Sequence, residues 1–103
     1  MTNPGSIVHI VMTHWKADAP IVELATLPSA IARFPGEIPG VVSAVHGASV
    51  STEGLEGDFE WALVVTFADA ASRDGYLVHP THAPVAETIG RCAERVVVFD
   101  IVA

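Results

Sequence analysis

Between positions 7 and 15, apolar side chains occupy both parities of an extended chain. Ile7, His9, Val11, Thr13 and Trp15 fall on one face, and Val8, Ile10, Met12 and His14 on the other. A strand apolar on both sides is covered on both. After a short loop the period changes: Leu24, Leu27, Ile31 and Phe34 recur every three or four residues, predicting a helix from Pro20 to about Arg33, kinked at Pro28 or divided there into two pieces. Pro35, Gly36, Pro39 and Gly40 end it. Residues 41–50 form a second strand, with a bulge or bend expected at His46-Gly47, and 51–58 is a small, polar, acidic connection. A third strand over 59–67 places Phe59, Trp61, Leu63, Val65 and Phe67 on one face. Asp69 is positioned to cap a helix over 70–78. A second helical piece runs to about Cys92, and a last strand over 95–102 alternates Val96, Val98 and Asp100 with Val97, Phe99 and Ile101.

The order β-α-β-β-α-β suits a ferredoxin-like α+β fold, in which both helical segments lie on one face of a four-stranded antiparallel sheet. The other face would be bare and apolar, and a patch of that size is a partner site. A second copy packed face to face closes it most simply, so the expected assembly is a homodimeric α+β barrel enclosing a space between its sheets. One domain should span residues 1–103, with 1–6 a mobile polar lead-in.

Composition sharpens this picture. Half of the residues are hydrophobic and 17% charged, which fits a second buried surface. The net charge is −7, and the five basic residues Lys16, Arg33, Arg73, Arg91 and Arg95 are scattered, so nucleic acid is not an expected partner. No apolar run approaches the length needed to cross a bilayer. The start carries no basic segment leading into a long apolar one, and the single Cys92 requires no oxidising compartment; the cytoplasm is the expected location.

Chemistry concentrates in the stretch Tyr76-Leu77-Val78-His79-Pro80-Thr81-His82. A residue before proline is pushed out of the α region, so the incoming helix stops near Val78 or His79. Either Pro80 or Pro84 can open the next one. In both cases His82 lies near the helix N-terminus, whose dipole disfavours the imidazolium and favours a neutral base. His79, before the proline, is expected to cap the second helix. His79 and His82 could share a metal, but the intervening proline and the lack of a third ligand nearby argue against one. Nucleotide, zinc-ribbon and serine-hydrolase motifs are lacking in the sequence. No cofactor is expected.

The segments 9–16, 61–67, 76–82 and 96–100 together resemble the stress-responsive A/B barrel (Dabb) domain family, whose members are dimeric α+β barrels; the His-Pro-x-His element is the most specific match. One branch of that family contains a plant polyketide cyclase. The resemblance implies His82 as general base, Tyr76 as the group that orients or polarises a carbonyl, and His9 as a cavity residue. A polar histidine and tyrosine of that cyclase's cavity are replaced here by Trp61 and Ile31, implying a more apolar pocket. With Val11, Thr13 and Leu63 on the same strand faces, the expected substrate-binding set is His9, Val11, Thr13, Ile31, Trp61, Leu63 and His79. The expected function is cofactor-independent acid–base catalysis of the cyclase or lyase type on a small hydrophobic carbonyl compound. The alternatives are a non-catalytic stress-response or ligand-carrier protein, and a cofactor-free monooxygenase on the same scaffold.

Overall fold

Strand β1 (Ile7–Trp15) is paired on both sides, with β3 (Trp61–Phe67) and with β4 (Ala93–Val102). Strand β2 (Val41–Ala48) adds beyond β3, so the antiparallel sheet runs β2-β3-β1-β4. This is the ferredoxin-like α+β arrangement. The computed structural model describes residues 5–103. Residues 1–4 of the polar lead-in lie outside the described residues. Ser6 does not behave as a loose lead-in: it is buried, and its carbonyl accepts a hydrogen bond from the Ala103 amide at 2.8 Å.

Register fixes the two faces. Residues opposite one another in an antiparallel pair point the same way. The row Ile7, His9, Val11, Thr13 therefore shares a face with Phe67, Val65, Leu63, Trp61 and with Val102, Asp100, Val98, Val96. That face carries the helices, and its central members join Leu27, Ile31, Phe34, Tyr76, Val85 and Ile89 in one core. The opposite face presents Val8, Ile10, Met12, Val64, Val97, Phe99 and Ile101, with no helix against it. Phe99 is 59% and Ile101 46% exposed.

The first helical segment, expected over 20–33 as a helix kinked or divided in two at Pro28, is broken further and runs longer. It is three short pieces, α1 (Ile21–Leu24), α2 (Leu27–Ala32) and α3 (Phe34–Glu37). Pro28 and Pro35 each sit in the first turn of a piece, where a missing N–H costs nothing. They restart the helix, so it runs on to Glu37 through residues expected to end it. The β2 irregularity also moves: the register slips between Val41 and Ser43, not at His46-Gly47, and the strand stops at Ala48. Phe59, expected in β3, lies before it, just past the Gly57-Asp58 turn, and the Arg95 guanidinium lies 4.9 Å from its ring centre.

Helix α4 (Ala70–Leu77) starts as expected, with Asp69 accepting from the Ser72 amide at 2.8 Å. Helix α5 (Ala83–Cys92) opens with Pro84 in its first turn, so Pro84 and not Pro80 begins it. Among the described residues, no helix is long and apolar enough to cross a membrane.

Candidate functional site

The break between α4 and α5 is tied by one residue. The His79 carbonyl accepts from the His82 and Ala83 amides at 3.0 and 3.2 Å, and its ring Nδ1 accepts from the Thr81 amide at 3.1 Å. His79 thus holds the turn, while His82 takes the capping position of α5 and makes no side-chain cap. With that turn fixed, the His82 ring lies tilted on the Tyr76 ring, centres 4.1 Å apart. Tyr76 sits in the middle of an aromatic group: Phe67 at 4.9 Å, Phe34 at 5.4 Å and His9 at 5.6 Å all meet it edge to face.

These three polar rings line one end of a cavity of about 290 Å³. Its walls are Val11 and Leu63 from the sheet, Val85 and Ile89 from α5, and Val96 and Val98 from β4. It opens beside β4, where Val96 and Val98 point to the helix side yet remain 43% and 56% exposed. The cavity therefore lies between sheet and helices within one protomer. The enclosed space expected between two sheets is not where Tyr76 and His82 meet, because both hang from helices on the opposite face.

Electrostatics divides the roles. Burial pushes the His82 imidazole below its ordinary value, with the nearby His9 adding to this and a hydrogen bond to the Leu77 backbone opposing it. Desolvation thus favours the neutral imidazole at His82. Burial pushes the Tyr76 phenol well above its ordinary value, so it stays a proton donor. Its hydroxyl is one of two buried side-chain polar atoms without a hydrogen-bond partner among the described residues; the other is Thr13 Oγ1. His9 is buried, and its Nδ1 lies 2.6 Å from Asp100 Oδ1, while Asp100 Oδ2 accepts from Arg73 Nη1 at 2.8 Å. Burial resists ionisation of Asp100, but the bonds from Arg73 and His9 outweigh it and hold the carboxyl below its usual range.

Of the residues expected from sequence, His82, Tyr76, His9, Val11 and Leu63 line this cavity. The other four are elsewhere. Thr13 and Ile31 are fully buried in the interior. Trp61 packs at the far end of the sheet against Trp15 and His46, ring centres 5.5 and 5.8 Å away. His79 borders a separate surface hollow with Asp69 and Ser72. Among the described residues, no three His, Cys, Asp or Glu side chains are grouped to hold a metal. Asp100 and Arg73 were not expected at the site. The signal for Asp100 was a lone carboxylate on the helix-facing parity of an otherwise apolar strand. Arg73 carried none beyond standing one helical turn before Tyr76.

Fold and cavity define a ferredoxin-like α+β protein with an apolar pocket on the helix side of its sheet. The stress-responsive A/B barrel domain profile matches residues 7–103, and the chain belongs to that family. No curated protein matches the chain at a significant level. Among solved structures, a dimeric ferredoxin-like protein of unknown function from Jannaschia sp. CCS1 is similar at a TM-score of 0.85 and 23% identity, over 94% of this chain and 98% of that one. A hydroxynitrile lyase from Passiflora edulis is similar at 0.84 and 17% identity, over 98% and 95%. A Dabb family protein from Mesorhizobium loti is similar at 0.73 and 23% identity, over 96% and 97%.

Proposed function

We propose that this protein is a cofactor-independent acid–base catalyst of the cyclase or lyase type, acting on a small hydrophobic carbonyl compound. The observation that carries the reading is the hydroxyl of the cavity-lining Tyr76, buried with no hydrogen-bond partner among the described residues. Leaving such a group unpaired costs about 1–3 kcal/mol, and a substrate carbonyl oxygen is the acceptor that removes the cost. His82, neutral and stacked on the same ring, takes a proton from the carbon next to that carbonyl. The electron pair moves onto the oxygen, and Tyr76 donates to the resulting enolate. In the aldol direction the enolate carbon bonds to a second carbonyl carbon, whose oxygen then receives the proton held by His82. The wholly aliphatic walls suit an uncharged substrate. The hydroxynitrile lyase of similar fold supports the reading only in that this scaffold can host a lyase.

The working unit in this reading is a homodimer joined through the bare sheet face, with the whole chain as one domain. Deuterium uptake at the α-carbon of small hydrophobic ketones in D₂O, followed by proton NMR, tests the chemistry without a known substrate. The wild type should accelerate uptake and His82→Ala should abolish it. Ketone binding with no uptake in the wild type would assign a ligand carrier instead.

A further inference from the structure

Arg73 and Tyr76 stand three residues apart on α4, so one helix face delivers the phenol to the cavity and the guanidinium to β4. There Arg73 Nη1 donates to Asp100 Oδ2 at 2.8 Å, while its Nε donates to Asp74 Oδ1 at 2.8 Å. Asp100 lies directly across from His9 in the β1–β4 ladder, and its other oxygen meets His9 Nδ1 at 2.6 Å. An ionised carboxylate only accepts hydrogen bonds. The His9 hydrogen at this contact therefore sits on Nδ1, and in the neutral ring that leaves Nε2 as a bare lone pair, the reverse of the tautomer that a free imidazole favours.

Asp100 stands on an edge strand with 28% of its side chain exposed, where a lone carboxylate is free to turn towards water. The guanidinium occupies the outer oxygen and leaves the inner one aimed at His9. We propose that Arg73 is a positioning residue, which, through Asp100, fixes His9 as a second proton acceptor of the cavity beside His82. The bare Nε2 gives a proton taken from carbon a second acceptor within the cavity, and the ring that takes the proton is the one that returns it to the oxygen. The charged or titratable groups that face His9 are Asp100 from β4, Arg73 and Tyr76 from α4, and His82 from the α4–α5 turn. From β3 it meets Phe67 and Val65, which carry none. The role in catalysis rests on the function proposed above; the effect on the His9 ring does not.

The test uses protein labelled with ¹⁵N in its histidine rings. In the wild type the His9 spectrum should show hydrogen on Nδ1 and a bare Nε2. Arg73→Met should move it towards the Nε2–H form, and Arg73→Lys, which keeps one charged donor, should restore part of the wild-type signal. Arg73→Gln replaces Arg73→Met if the latter does not fold. In the ketone assay, kcat should fall roughly ten- to hundredfold with KM unchanged. A His9 spectrum unaltered by loss of the guanidinium overturns the proposal, even where ketone exchange persists. A His9 signal that shifts in Arg73→Met while the wild type exchanges no deuterium leaves the positioning intact and removes only the catalytic reading.

Discussion

Replacing Tyr76 by Phe separates what this side chain does for the fold from what it does for chemistry. The ring keeps its contacts with His82, Phe67, Phe34 and His9, at centre distances of 4.1, 4.9, 5.4 and 5.6 Å. Only the hydroxyl is lost, and that hydroxyl is buried without a partner. Its removal relieves an unpaired polar group worth about 1–3 kcal/mol, so the variant should be more stable by about 1–2 kcal/mol. Unfolding entropy of about 2.1 cal/mol/K per residue over 103 residues converts each kcal/mol into a rise in Tm of about 4–5 °C. Circular dichroism melts and urea titrations at matched protein concentration measure it, since in the proposed dimer Tm would depend on concentration. A water resting on the hydroxyl would bring the gain to about zero. In the deuterium-uptake assay the same variant should lose about 10²- to 10³-fold in rate, the usual effect of deleting an oxyanion donor. Destabilisation by about 1 kcal/mol or more would mean the hydroxyl has a partner within the protein, refuting the unpaired-donor argument. Unaltered uptake would remove Tyr76 from the mechanism.

Two further outcomes follow from the same geometry. Burial depresses the His82 imidazole below 6.5 in the folded state, so between the folded value and about 6.5 the unfolded chain binds the extra proton. Stability should therefore be full above that range and decline as pH falls through it. His82→Asn should flatten this part of the profile in denaturant titrations at successive pH values; equal slopes in both proteins would contradict a buried neutral imidazole. On the bare face, Phe99 is paired across from Ile10. In a two-fold dimer, Phe99→Glu removes two buried rings at about 2 kcal/mol each, which should weaken association about a thousandfold. Light scattering should then report a protomer; an intact dimer would place the interface elsewhere.

Alternation along each strand was enough to assign faces, and the switch from period two to period three or four was enough to order the elements. Position along a strand was not legible in the same way. Trp61 is on the helix-facing parity, as expected, yet the register sets it opposite Thr13, whereas the cavity lies further along, at Val11 and Leu63. Parity names a face, and only register names a place on it. The first helical segment misled for a different reason. Pro28 suggests a kink or a division into two pieces and Pro35 a stop, but a proline in a first turn is also a start signal, and sequence alone does not say which of these packing will select. Asp100 was visible as an oddity without a partner, because its neighbour His9 lies 91 residues away in the chain.

The α4–α5 break accounts for the presence of a cavity in so small a protein. A helix continued through residue 80 would carry His82 onward around the same axis. The restart at Pro84, with His79 tying the turn, instead folds His82 back over Tyr76. Along β4, Val96 and Val98 stay exposed on the helix side, and the opening beside them admits a guest. The polar end of that opening is held by bonds that cross the fold, from α4 through β4 to β1. The walls remain aliphatic. Because the bare face of the sheet takes no part in lining this cavity, association through it and chemistry within it are separable: Phe99→Glu should dissociate the dimer while leaving ketone binding in each protomer measurable by NMR. Loss of both together would show that a partner completes the pocket.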